Sequence, residues 1–471
     1  MDVREEALPV TLLPRGRDSG VEEVEALRAA QRVDPGHGLA VGIVPVVLFQ
    51  PAPPWGEPTA HRAARGTAVD SPEMLAPVRK PWGVRAILAV TEALGVGRMV
   101  SLDPDELVAK AVADTRLEDF GADDGWREGL ERVCASAEDD ARLSLLGRLG
   151  FRERVIHVLS NRLLRHATPI PDHPLARPLI VSGMPRSGTT YLHRLLASVP
   201  ETRALKLWEL QRPFPPLTGA DHRRADVLTM MNRLRRLAPE FDAKHFMDVD
   251  EPEECMFFLD DTFRSLTFWV MAPVYAYHAW LIDQDMTGPY RVYRQHLQHF
   301  QAQTPALRLT LKAPVHTAYL DTLIASVPEA VHVQTHRDPI AVLASANSLF
   351  TSVHSMASEH LDMRRMIATN LVTMETFGRK SIAMRERIPP RKVFDVQYDE
   401  LCRDPVGVVR AIHLHHDLPF DAAAEASVRA YAESHPQGYK GVHRYKAEDL
   451  GVDLDDLRDR FRPYTERFVA A

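Results

Sequence analysis

Residues Leu179 to Val199 read LIVSGMPRSGTTYLHRLLASV, and this stretch decides the fold. The short apolar run LIVSG (179–183) suits a central parallel strand, whose two faces are both covered. Gly183 and Gly188 follow at the G-x-x-x-x-G spacing of a phosphate loop, and TTYLHRLLASV continues as a helix. At such a junction the unpaired N–H groups of the first helical turn and the positive end of the helix dipole hold an anion. A nucleoside-triphosphate loop needs Lys directly after the second Gly to reach the β- and γ-phosphates. Here Thr189 takes that position, and the cation, Arg186, lies two residues before Gly188. Asp338, the nearest acid that could serve magnesium, falls in a loop after an alternating strand. The competing readings are a glycine turn that serves packing alone and a triphosphate site.

Outward from the loop, strand-then-helix patterns recur at LRLTLKAP (307–314), AVHVQTHRDP (330–339) and KVFDVQYDE (392–400), each followed by a helical period. Strands alternating with helices predict an α/β fold, a phosphate-loop-like parallel sheet flanked by helices. Residues 72–165 carry apolar residues at three- and four-residue spacing, with Asp103 or Asp105 as a helix cap, and predict a helical amino-terminal extension. The division expected is a Pro/Gly/Ala-rich segment (1–70), the helical extension (71–175) and the α/β domain (176–471), with four prolines in TPIPDHPLARP (168–178) at the last junction.

The 471 residues are 45% hydrophobic and 26% charged, which disfavours a disordered or fibrous chain. Lys plus Arg number 57 against 64 for Asp plus Glu, so the chain is not a nucleic-acid binder working through a broad basic surface. Cys134, Cys255 and Cys402 are scattered, suggesting neither a zinc site nor a disulfide framework. The acidic start MDVREEALPV lacks the features of an export signal, and a cytoplasmic location is expected. Ser265 to Ile282 carries no Asp, Glu, Lys or Arg, but Pro273 divides it and polar side chains are spread through it. It predicts buried helices beside an apolar cavity and no transmembrane segment, leaving peripheral membrane contact open. Nothing in the sequence indicates an oligomeric state.

PRSGTTYL resembles the 5′-phosphosulfate loop of the sulfotransferases that use 3′-phosphoadenosine 5′-phosphosulfate, in the form found in their bacterial branch. The second half of that family's signature is also present. Arg337 in THRDP precedes Ser345 by eight residues, the spacing of the family's 3′-phosphate-binding Arg and Ser. The resemblance covers about residues 175–468 and implies that Arg186, Ser187, Gly188, Thr189 and Thr190 hold the 5′-phosphosulfate. It implies further that Arg337 and Ser345 share the 3′-phosphate, and that Tyr191 and Tyr398 lie near adenine. Lys440 and Arg444, in GYKGVHRY, resemble in altered order the loop that closes on the 3′-phosphate. The implied co-substrate is that nucleotide, with no metal, and the implied acceptor is a hydroxyl or amine of a small or lipid-like molecule.

Sulfuryl transfer needs a base for the acceptor proton and cations where charge gathers. Glu209 lies nineteen residues after Thr190, where several relatives carry a catalytic Glu; its other reading is a cap on backbone N–H groups. His316 competes with it, although it follows Lys312 by four residues where the cytosolic relatives have two. A buried structural histidine is the alternative there. Lys312, ending an alternating strand, is placed to reach the sulfuryl oxygens. The acidic run MDVDEPEEC (247–255) reads as the first turn of a helix, with a contact to the acceptor as its other reading, Phe257 to Trp280 as the wall of an acceptor pocket, and the basic runs at 222–224 and 232–237 as a solvated helix face. The rival functions are a phosphate-loop kinase and a non-catalytic nucleotide-binding protein.

Overall fold

The computed structural model describes residues 75–122, 124–239, 247–435 and 450–469. The chain divides into two compact units, 1–64 and 65–471, and the described residues belong to the second. That unit opens with helices α1 (Trp82–Ala93), α2 (Pro104–Thr115), α3 (Trp126–Asp139) and α4 (Leu145–Ala167). Asp103 starts α2 by accepting the N–H groups of Asp105 and Glu106 at 2.9 and 3.0 Å. Its place before Pro104 and two acids makes it the cap of the pair expected.

Then come β1 (Leu179–Gly183), α5 (Thr189–Ala197), β2 (Thr202–Ala204), α6 (Leu207–Gln211), α7 (Arg223–Leu237), a 3₁₀ segment (Cys255–Thr262), α8 (Thr267–Met271), α9 (Tyr275–Leu281) and α10 (Thr287–Gln303). The second half runs β3 (Arg308–Lys312), a 3₁₀ turn (Pro314–Ala318), α11 (Leu320–Ser326), β4 (Val331–His336), α12 (Pro339–Ala357), α13 (Met363–Arg385), β5 (Val393–Gln397), α14 (Tyr398–Arg403), α15 (Pro405–His415), α16 (Ala422–Ser434) and α17 (Leu454–Phe468). The strands form one parallel sheet in the order β2-β3-β1-β4-β5. Every residue of β1 is buried; the chain lays β2 and β3 on one side of it, then crosses over to β4 and β5 on the other. In open α/β sheets that switch point, at the carboxyl ends of the strands, is where ligands bind.

Alternation along β1 sorts the core. Ile180 points into a cluster with Phe258, Tyr290, Leu297 and Leu311, whereas Leu179 and Val181 face Leu192, Leu196, Val409 and Ile412. α2, α3 and α4 form a further layer, in which Leu107, Leu130, Val133, Val155 and Leu159 share one core with Phe263, Phe268 and Tyr277. Buried ion pairs cross this junction: Arg154 with Asp260, and Arg165 with Asp261, the latter at 2.7 Å.

Two expectations are corrected here. Most rings of the Phe257–Trp280 segment do not wall an open cavity, since Phe258, Phe263, Phe268, Trp269 and Tyr277 are at most 1% exposed; only Arg264 and Leu266 of the segment border a small pocket, with Leu281, Ile282, Met286, Val315, Tyr319 and Phe377. Its rings pack on one another and on the helical layer, for example Phe263 stacked on Phe268 at 5.7 Å. Dense apolar spacing marks burial but does not distinguish a protein partner from a ligand. The acidic run, for its part, does not begin a helix at Pro252. That residue pairs with Lys206 in an antiparallel bridge, and the following helix is the 3₁₀ segment from Cys255. Pro273 does separate two short buried helices, as expected. Among the described residues only α12 has the length and hydropathy of a membrane span, and 61% of that stretch is buried inside the protein.

Candidate active site

At the end of β1 the chain turns at Gly183, with φ 145°. A Cβ there would stand 2.1 Å from Thr335 Oγ1 and 2.8 Å from Ser187 Oγ, so both conformation and space demand glycine. The Gly183 N–H donates to Thr317 Oγ1 at 2.8 Å. Ser187 closes the turn on itself, its hydroxyl donating to the Met184 carbonyl at 2.6 Å and lying 2.6 Å from Thr335 Oγ1. Arg186 (φ 66°) and Gly188 (φ 90°) adopt left-handed backbone before α5 begins at Thr189. Thr190 and Tyr191 complete the first turn of α5, with Tyr191 half-buried against the β1 and α5 core.

The second half of the signature meets this loop. Asp338 caps α12 through the Ile340 N–H at 3.0 Å with Pro339 in the first turn, which brings Ser345 round to the loop. Arg186 Nε donates to Ser345 Oγ at 3.0 Å, and Arg337 Nη1 donates to the Arg186 carbonyl at 2.9 Å. The Arg337 guanidinium lies 4.0 Å from the centre of the Tyr398 ring. That ring also backs Gly188, where a Cβ would come within 3.0 Å of Tyr398 Cδ2. Two guanidiniums, the Ser345 hydroxyl and a helix start thus meet at the loop.

Lys312 ends β3 beside Val181 of β1 and is fully buried. Its ammonium donates to Glu254 Oε1 at 2.8 Å and stands 3.6 Å from Glu253 Oε1. Burial works to lower its pKa, but the two carboxylates outweigh burial and raise it, so the group stays charged.

The two base candidates are placed differently. Glu209 is buried in α6, one oxygen accepting from Arg203 Nη2 at 2.6 Å and the other from the Lys206 N–H at 2.9 Å. Arg203 lies beside Leu309 in the sheet register, three residues and about 10 Å before Lys312 along the strand direction. Its other N–H groups reach the Phe300 carbonyl and Thr304 Oγ1 at 3.2 and 3.0 Å, away from the loop. These contacts match the capping reading of Glu209 and include none of the loop residues. His316 is fully buried, with Nδ1 2.7 Å from Tyr290 Oη and Nε2 3.3 Å from Cys255 Sγ. Burial pushes its pKa down to about 3 and the Cys255 thiol up to about 12. The loop is reached instead by its neighbour, Thr317.

Lys440 and Arg444 lie outside the described residues. Thr317 and Thr335 are not among the residues the sequence singles out, whereas Glu254 belongs to the acidic run for which contact with the acceptor is the second reading. The two threonines carried one readable signal, a hydroxyl at or just past the end of a strand adjoining the loop strand.

Residues 178–422 match the sulfotransferase family, and the chain belongs to it. Its class of activity is therefore sulfotransfer. The crystal structure of the sulfotransferase STF1 from Mycobacterium tuberculosis H37Rv is similar, with 29% identity and a TM-score of 0.67, over 76% of this chain and 98% of that one. That of STF9 from Mycobacterium avium matches with 29% identity and a TM-score of 0.70, over 78% and 97%. The omega-hydroxy-beta-dihydromenaquinone-9 sulfotransferase Stf3 of Mycobacterium bovis is 23% identical over 297 residues, 58% of this chain and 71% of that protein.

Proposed function

We propose that this protein moves a sulfuryl group from 3′-phosphoadenosine 5′-phosphosulfate to a hydroxyl of a small or lipid-like acceptor. The observation that carries the reading is the meeting of Arg186, in the loop after β1, with Ser345 and Arg337, from the next strand-to-helix turn. A phosphate at the loop and a second phosphate at Arg337 and Ser345 are what a 3′,5′-bisphosphorylated nucleoside presents. In this reading the backbone N–H groups from Ser187 through Gly188, Thr189 and Thr190 and the side chain of Arg186 hold the 5′-phosphosulfate. Arg337 and Ser345 hold the 3′-phosphate, and Tyr398 offers a ring to the base. Lys312 faces the sulfuryl oxygens. The name of the Stf3 relative, which specifies the hydroxyl of a menaquinone, supports a lipid-like alcohol as acceptor class.

The test is ligand-dependent stability. Adenosine 3′,5′-bisphosphate should raise the melting temperature in the presence of a chelator, by a stabilisation of about 2.7 kcal/mol at a hundredfold excess over its Kd. A shift seen only with ATP and magnesium would indicate a kinase. Binding of the bisphosphate without transfer to any hydroxyl or amine acceptor would indicate a non-catalytic nucleotide-binding protein.

A further inference from the structure

The acceptor proton needs a base that faces both the transferred group and the solvent from which the acceptor arrives. Glu209 has both oxygens engaged by Arg203 and the Lys206 backbone, and His316 is dry with both nitrogens in contact. The turn 251–254 brings two carboxylates to this end of the sheet in contact with the buried Lys312. The Glu253 N–H donates to the Leu205 carbonyl at 3.3 Å, and Pro252 bridges to Lys206, so the turn crosses the carboxyl ends of β2 and β3. The Lys312 side chain is 0% exposed, that of Glu253 6% and that of Glu254 22%. Glu254 therefore combines a direct contact to the buried ammonium with an open edge.

We propose that Glu254 is the general base, and that Lys312 is the cation its protonation releases towards the sulfuryl group; this rests on the sulfotransfer reading above. The acceptor hydroxyl gives its proton to the Glu254 carboxylate as its oxygen bonds to sulfur. The bond from sulfur to the bridging oxygen of the 5′-phosphate breaks, and its electron pair stays on adenosine 3′,5′-bisphosphate beside Arg186. Before transfer, one ammonium faces two carboxylates. Once Glu254 is neutral, Lys312 is left with Glu253 alone, and its freed N–H groups turn to the sulfuryl oxygens as charge builds there.

The experiment compares two acceptors with the same donor: 1-dodecanol in detergent micelles, whose hydroxyl needs a base, and 4-nitrophenol, which ionises in neutral water unaided. Glu254→Gln keeps an oxygen for Lys312 but cannot take the proton. Its kcat with dodecanol should fall by about 10²–10⁴, whereas 4-nitrophenol turnover falls less than about tenfold and bisphosphate affinity holds. Glu254→Asp keeps the charge against Lys312 and should lose an intermediate factor with the alcohol alone. Equal losses with both acceptors, or alcohol turnover within about threefold of wild type, would overturn the assignment. So would an alcohol-selective loss in Glu209→Gln with Glu254→Gln unaffected. Wild-type protein that neither binds the bisphosphate nor modifies either acceptor would instead overturn the sulfotransfer reading beneath it.

Discussion

Arg337 serves two neighbours, holding the Arg186 carbonyl while its guanidinium face lies on Tyr398. Its proposed ligand is the 3′-phosphate alone, so Arg337→Ala should weaken adenosine 3′,5′-bisphosphate about tenfold more than adenosine 5′-phosphate in calorimetric titration. Equal losses would show that it acts only by shaping the loop. Gly183 supplies a stability prediction of the same kind. Gly183→Ala forces a side chain into positive φ and against Thr335 Oγ1, and should cost at least about 1–3 kcal/mol in urea unfolding. Adding Thr335→Ala removes the nearest contact but leaves Ser187 Oγ and the Thr335 carbonyl at 2.8 Å and the backbone strain, so the double variant should recover part of the loss and not all.

Elements were legible where their signals are local. Strand, glycine loop and helix lie within twenty-odd residues, and Asp103 before Pro104 announces α2. Asp103→Ala should accordingly cost about 1 kcal/mol, measured by thermal or urea unfolding, because two helical N–H groups lose their acceptor. The pairing of Arg337 with the loop was legible too, because the eight-residue spacing to Ser345 is fixed by a single helix. What escaped was set by contacts distant in sequence. Glu209 follows the loop helix at a suggestive distance, but Arg203 on an edge strand decides which way it faces. The acidic turn reads as a helix start in isolation; the bridge from Pro252 to Lys206 makes it a crossing over strand ends. The aromatic run advertised burial without naming what would cover it.

At the scale of the molecule, titration is dominated by groups without water. His193, His316 and His332 are at most 1% exposed, and burial pushes each pKa down to about 3. In the unfolded chain these rings titrate near about 6.5, so below that pH the unfolded state binds more protons and stability falls as pH drops. Asp261 adds a later loss. Burial disfavours its charge, but Arg165 and His296 outweigh burial and hold the carboxyl below its ordinary range. Its contribution is present above the unfolded carboxylate pKa and disappears only as pH falls through the lower folded value. The urea midpoint should therefore decline already between about pH 6.5 and 5, ahead of carboxylate titration. A midpoint flat down to about pH 4.5 would contradict this.

The ion pairs between α4 and the 3₁₀ segment also bear on how such chains are recombined. Arg154 and Arg165 precede the proline-rich stretch 168–178, while Asp260 and Asp261 lie well beyond it. A chimera spliced at those prolines inherits its guanidiniums from one parent and their carboxylates from the other. Where the second parent lacks an acid at either position, a charge is stranded in the core at a cost of about 3–5 kcal/mol. In a library shuffled among relatives, folded survivors should be enriched in crossovers that keep residues 145–262 from a single parent.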